Sequence, residues 1–455
     1  MPKSAKNVRS PQDEASRRER IGCLNKIVNK KRLALQVRRR RLDRRRSPKC
    51  PAVSMVFFVI ALWLYGDDAY PDVYRWLHRF AEKLMPSSSA LTQARAKLGI
   101  AIMADTYREV VGCLCDPQTP GAFYDGRRLV AVDGFVLNLA DSEANRNAFG
   151  RPKNGTSFGA SPQARIVALC EVGSHVFFNF QIKPIRCGEA TIAKHVYRGL
   201  PEKSLLIFDI GFCATELMTM VINRNSDFLG RSKLNRCFKK FEVLSDGTYL
   251  SKIYATDYDR VHDCNGTTVR VIEYTIDDPE RVGHQERHRL LTTLVDEKAH
   301  PAETLILLYH ERWEEEVSID EAKTHLRSKP NLRSESPQGV VQEIYGLLIA
   351  HFVIRKLAFE AAQRAEIAPR SISFTGTLRV LRTRLPESPR SRALYNEWYE
   401  LTLVEVSQKV LEPRRNRINP RVIKRTQSKW QKKRDEHRKL PRPKQNFDET
   451  VRLLT

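Results

Sequence analysis

Near residue 127 the spacing of apolar residues changes from the three-to-four of a helix to the two of a strand, and beyond residue 300 it changes back. A chain with that reversal is neither all-helical nor all-β, because each period fixes which residues share a face. Before the switch, Asp72, Val73, Trp76, Leu77 and Phe80 form a stripe at helical spacing, and PSSSALTQARAKLG offers Ser caps to a helix ending at Gly99. After it, RLVAVDGFVLNL reads as two strands turning near Gly134, and ARIVALCEVG with HVFFNFQIKP reads as a hairpin. A helix (GEATIAKHVYRGL), a buried strand (SLLIFD), a helix (CATELMTMVINR) and a short strand (SDFLGRS) follow. The expected class is α/β, a mixed sheet with helices packed on it and helical regions at both ends. Six segments are expected: an arm over 1–50, a helical domain over 51–120, a first core segment over 121–232, a β-rich insertion over 233–299, a second core segment over 300–365, and a helical C-terminal region over 366–455.

Charge is distributed unevenly. Residues 1–49 hold 18 Lys and Arg against 4 Asp and Glu, and residues 413–444 hold 14 against 2, so the two tails carry the whole formal excess of +25. Basic arms on a neutral body suit a polyanion, most simply nucleic acid, whose counterions are released when Lys and Arg replace them. The runs Arg38–Arg41 and Arg44–Arg46 and the stretch NPRVIKRTQSKWQKKR concentrate this charge. The apolar segment AVSMVFFVIALWLYG is too short to span a bilayer and reads as a buried helix, so no membrane association is expected. The nine cysteines show no metal-ligand spacing and no disulfide framework, which points to the cytoplasm.

Three carboxylates stand where phosphodiester chemistry would need them. Such transfer requires two oxygens held in line and metal ions that neutralise charge on both, and Mg²⁺ takes hard oxygen ligands. Asp133 closes the strand LVAV, and Asp209 ends the apolar strand LLIF. An Asp terminating a buried strand is costly unless paired or metal-bound, although many simply cap a turn. Tyr309, Arg312, Glu316 and Lys323 are spaced Y-x2-R-x3-E-x6-K, steps that place all four on one face of a continuous helix. An ion-paired surface helix accounts for Arg312 and Lys323 beside Glu316 but not for the whole stripe.

This stripe resembles the Y-R-E-K signature of DDE transposases in the insertion-sequence family 4 group. VAVDG is similar to the segment bearing that family's first Asp, and LLIFDIGF to the one bearing the second, with Ile210 where the family usually has Arg. PSSSALTQARAKLG and NPRVIKRTQSKWQKKR also resemble family segments, so the likeness runs from about residue 51 to 435. The resemblance implies a ribonuclease-H-like core interrupted by the β-rich insertion. It implies Asp133, Asp209 and Glu316 as catalytic metal ligands, holding two Mg²⁺ ions for which Mn²⁺ substitutes. Tyr309, Arg312 and Lys323 become contacts to transposon-end DNA. Cleavage at terminal inverted repeats, a DNA hairpin intermediate and strand transfer into target DNA would proceed within a homodimeric synaptic complex at the nucleoid. The alternatives are a non-catalytic DNA-binding protein derived from a transposase, or a metal-dependent nuclease of another type.

Two further sets of residues bear on DNA. Gln93, Arg95 and Lys97 project from the second member of a short helical pair, which either enters a groove or simply packs. Tyr249, Tyr254, Tyr258, Trp313 and Trp430 offer rings on which a flipped base can stack, although core or strand-pair roles are the commoner use of such rings.

Overall fold

The structure, a computed structural model, describes residues 22–43, 50–78, 85–155, 157–278, 284–327, 330–389, 391–412 and 450–454. The first 21 residues, Arg44–Arg46, Phe80, and the C-terminal basic stretch with Trp430 lie outside the described residues. After two short helices, Gly22–Ile27 and Lys30–Arg39, the main elements in chain order begin with α1 (Ala52–Leu64), α2 (Tyr70–Leu77), α3 (Ser88–Leu98) and α4 (Ala101–Val110). Then come β1 (Arg127–Asn138), β2 (Gln163–Glu171), β3 (Val176–Pro184), α5 (Glu189–Val196), β4 (Ser204–Phe208), α6 (Thr215–Ile222) and β5 (Asp227–Arg231). The chain continues through β6 (Tyr249–Ile253), β7 (Thr267–Ile276), β8 (His288–Thr292), α7 (Ala302–His310) and α8 (Trp313–Asp320), and ends in α9 (Pro337–Arg364), α10 (Phe374–Glu387) and α11 (Arg392–Ser407). The fold is mixed α/β, with helical N- and C-terminal regions.

Two compact units share the chain, and neither is a continuous stretch of it. One comprises Met1–Phe123, Gly134–Ile192 and Glu315–Val410; the other comprises Tyr124–Asp133, Ala193–Glu314 and Leu411–Thr455. In the first, β3 pairs with β2, and β2 lies beside the second half of β1. Its core is helical. The apolar segment near residue 52 forms α1 as expected, with every residue but Val53 buried, and it packs on the long helix α9. Burying each Phe, Leu or Ile side chain there contributes about 1.5–3 kcal/mol. Among the described residues no helix is long and apolar enough to cross a membrane.

In the second unit the first half of β1 runs parallel to β4, and β4 runs parallel to β5. The sheet then turns antiparallel through β8, β7 and β6. Leu129–Val132 and Leu205–Phe208 are all essentially inaccessible, which is why both segments read as continuous apolar runs. The turn expected at Gly134 does not occur, and β1 is one strand of 12 residues. Gly134 is absent from the glycines with positive φ, and Phe135 and Leu137 carry the buried alternation straight through it.

Gly230 on β5 lies opposite Phe208 on β4, and a Cβ there would come within 1.9 Å of the Phe208 ring. The aromatic ring that precedes Asp209 therefore occupies the space a side chain at 230 would need. Gly230→Val should destabilise the protein by about 1–3 kcal/mol through overpacking. Thermal melts of the two proteins give the comparison, and an unchanged melting temperature would contradict this packing.

Candidate active site

The apolar strands β1 and β4 deliver their acids together. Val132 pairs with Phe208 in parallel register, so the next residue on each strand, Asp133 and Asp209, stands at the neighbouring position about 4.8 Å across. Both are half-buried: Asp209 follows the last residue of β4, and Asp133 lies midway along β1, where β4 stops beside it. Asp209 has extended backbone geometry, with φ −83° and ψ 171°, and its Oδ1 accepts the Ile210 N–H at 2.7 Å, capping a short 3₁₀ turn, Ile210–Phe212. The carboxyl ends of adjacent parallel strands are where open α/β sheets bind ligands. Two hard oxygen donors side by side there fit a divalent cation. Among the described residues no three His, Cys, Asp or Glu side chains are gathered as a ready-made ion cage.

Tyr309 and Arg312 belong to the same unit as the two aspartates. Tyr309 is only 7% exposed. Burial pushes its phenol well up, Arg312 pulls it down, and the charge of Asp209 pushes it up again, with Tyr274 and Arg231 adding smaller effects. Tyr309 thus sits within electrostatic reach of Asp209 rather than facing solvent as a phosphate contact.

The expected four-residue stripe does not ride on one regular helix. After α7 the backbone tightens, with the Glu311 N–H donating to Leu308 at 3.0 Å and the Arg312 N–H to Tyr309 at 3.1 Å. α8 then begins at Trp313 and passes into a π-helical turn, Glu321–His325, closed by the Leu326 N–H donating to Glu321 at 3.0 Å. Glu316 on α8 and Lys323 on the π turn are half-buried and belong to the first unit. Constant helical spacing therefore fails on both sides of Glu316.

Arg95 corrects a second expectation. Its side chain is buried, donating to Tyr70 Oη at 2.7 Å and to the Gly339 carbonyl at 2.7 Å, and pairing with Glu343 at 3.1 Å. It braces α3 against α9 and is not presented to DNA; Gln93 and Lys97 on the same helix are exposed. Of the candidate stacking rings, Tyr249 is buried beneath Lys240, Tyr254 donates to Asp263 Oδ1 at 2.6 Å, and Tyr258 and Trp313 are exposed.

A basic loop following β5 escaped the sequence reading. Lys233, Arg236, Lys239 and Lys240 interleave with Phe238 and Phe241, a pattern suited to nucleic acid. Arg289 fixes this loop by donating to the carbonyls of Leu234 at 3.2 Å and Arg236 at 2.7 Å, while Glu273 pairs with Arg289 at 2.6 Å. Arg236 in turn donates to the Cys213 carbonyl at 3.2 Å and Thr215 Oγ1 at 2.7 Å, just downstream of Asp209. The interleaved run was visible in the sequence; nothing local marked Arg289 as its anchor.

Comparison with known proteins places these residues in a family setting. The family described as "Transposase DDE domain" matches residues 124–353, and "Insertion element 4 transposase N-terminal" matches residues 18–108. "Transposase InsG for insertion sequence element IS4" of Escherichia coli (strain K12) is 25% identical over 399 residues, covering 83% of this chain and 86% of that protein. The cryo-EM structure of the piggyBac transposase synaptic complex with hairpin DNA aligns over 88% of this chain and 87% of that one, at 10% identity and a TM-score of 0.44, a likeness too loose to bear on the site.

Proposed function

Because the chain belongs to the family of DDE-domain transposases, enzymes that cut and rejoin DNA with divalent metal ions, we propose that Asp133, Asp209 and Glu316 are its metal ligands and that Mg²⁺ is the ion. The observation that carries this reading is the pairing of β1 with β4, which sets Asp133, midway along β1, beside Asp209, the residue after the end of β4. When bound, such ions neutralise charge on the attacking and departing oxygens. The protein's own groups hold and orient. Arg312 and Lys323 grip phosphates of the transposon end, where a guanidinium or ammonium reads charge without reading sequence. Tyr309, buried near Asp209, shapes the environment of that carboxylate. The anchored loop from Lys233 to Phe241 supports the DNA beside Asp209, and the basic tails add attraction that weakens as salt rises. The same reading has two copies bringing both element ends together in the cytoplasm, where the DNA is.

Incubating the purified full chain with duplex DNA bearing the element's terminal inverted repeats should give nicks that require Mg²⁺, followed by joined products. A chelator should stop the reaction while leaving DNA binding measurable. Binding without nicking at any Mg²⁺ concentration would favour a non-catalytic DNA-binding protein. Nicking without joined products would favour a nuclease.

A further inference from the structure

Behind α8 lies a buried cluster of charged and polar groups for which the proposed chemistry has no use. Glu321, the first residue of the π turn, accepts from Arg355 Nε at 2.8 Å and from His351 Nε2 at 3.2 Å, and its second oxygen accepts from Arg355 Nη2. That same Nη2 lies 2.6 Å from His175 Nδ1, which is also 3.4 Å from the second Glu321 oxygen, so the imidazole sits against both members of the ion pair. All four residues are buried in one unit and come from three places: the β2–β3 turn, the π turn and α9. Phe374 at the start of α10 closes the cluster, stacking on His351 at 5.2 Å and lying beneath the Arg355 guanidinium at 5.4 Å. A second tether lies one turn earlier, where Cys170 Sγ on β2 meets Ser318 Oγ on α8 at 3.4 Å.

Stability alone does not account for such an arrangement. A buried ion pair can often be exchanged for well-packed apolar residues at no loss of stability, and what it supplies best is a single geometry. A π turn is rare, and here one ends α8 in place of an ordinary helical terminus. Here the wide turn rotates Glu321 and Ala322 into the core while Lys323 remains half-exposed. Burial and the neighbouring His175 pull His351 down to about 3, so it stays neutral and donates its Nε2 proton to Glu321.

We infer that Glu321 is a positioning residue for transposition: its carboxylate, gripped by Arg355 and His351, locks the turn that ends α8 and thereby sets the placement of Glu316. This rests on the reading of Glu316 as a metal ligand. Glu321 touches neither DNA nor metal in this account and acts only through the backbone it holds.

The test compares full-length wild type, Glu321→Gln, Glu316→Gln and the double variant, using terminal-repeat DNA and Mn²⁺ as the metal probe, below the melting temperature of each protein. Nicking rate, Mn²⁺ affinity by electron paramagnetic resonance titration and DNA affinity are measured separately. Glu321→Gln should lower nicking and Mn²⁺ affinity by about 10–100-fold, the usual effect of losing a residue that orients a metal ligand, with DNA affinity unchanged. In the double variant Glu321→Gln should cost nothing beyond Glu316→Gln, because its effect passes through Glu316. A substitution that merely loosened the fold would still add its own loss. Should Glu321→Gln not fold, Glu321→Leu with Arg355→Leu removes both buried charges together and is read in its place. Wild-type rate and Mn²⁺ affinity in the Glu321 variants, alongside loss of both in Glu316→Gln, would overturn the positioning role alone. If Glu316→Gln itself lost neither, the assignment of Glu316 would fail and this inference with it.

Discussion

Replacing Asp209 with Asn is expected to leave the protein folded and DNA-bound while reducing nicking by on the order of a thousandfold or more, or about 4 kcal/mol of transition-state stabilisation. The substitution is close to isosteric, and its amide oxygen can still accept the Ile210 N–H that caps the turn after β4. What it removes is the negative charge at the strand end next to Asp133. Removing charge without removing the hydrogen bond separates the two explanations a sequence offers for an Asp at a strand terminus, capping and metal binding. A capping role predicts near-normal nicking, and a ligand role predicts almost none. Rates from single-turnover assays, read beside melting and DNA-binding curves for the same preparations, decide it. Nicking within about tenfold of wild type would end the case for Asp209 as a ligand.

Glu343→Ala should be among the most destabilising single substitutions in the chain, costing about 3–5 kcal/mol because it strands the buried Arg95 guanidinium. The two side chains are 4% and 6% exposed, so water cannot take over. Glu343 also accepts the Arg333 N–H at 3.0 Å and a hydrogen bond from Ser334. Replacing both Arg95 and Glu343 with Leu should recover much of the loss, and the recovered protein should bind terminal-repeat DNA as wild type does. Chemical denaturation gives the first quantity and gel shift the second. A stable double variant with impaired DNA binding would return Arg95 to the DNA contacts that its sequence context suggested.

Arg95 shows where sequence reading stopped. Its helix was legible, from the Ser87 cap to Gly99, but its partner lies 248 residues away, and no local pattern reports that Glu343 will be waiting. The two aspartates were legible for a physical reason: a strand buried on both faces reads as an unbroken apolar run, and an acid that closes it stands out. That β1 and β4 are neighbours, in a register that aligns Asp133 with Asp209, is a matter of topology that residue spacing cannot supply. No turn forms at Gly134 because a glycine is tolerated inside a strand, and the alternation of Phe135 and Leu137 continues beyond it. The signature stripe was recognisable as a motif but not as geometry. Equal steps hold only on a regular helix, and the tight turn at Glu311–Arg312 and the wide one at Glu321 both depart from it. The departure at Glu321 follows from Arg355 and His351, which approach from a helix that begins after the signature has ended.

The division of each compact unit among separate stretches of chain has a consequence for synthesis. The oily helix α1 leaves the ribosome early, yet α9, against which it packs, starts some 270 residues later, or roughly 15–60 s at ordinary elongation rates. Through that interval the nascent polypeptide can set this sticky segment against the neighbouring α2 and α3 but not against the long helix that covers it most, which makes newly made transposase a client for chaperones. A ribosome that stalls or terminates anywhere in that gap releases a product that leaves the α9-facing side of this helix uncovered, so interrupted translation favours aggregate over a partial enzyme.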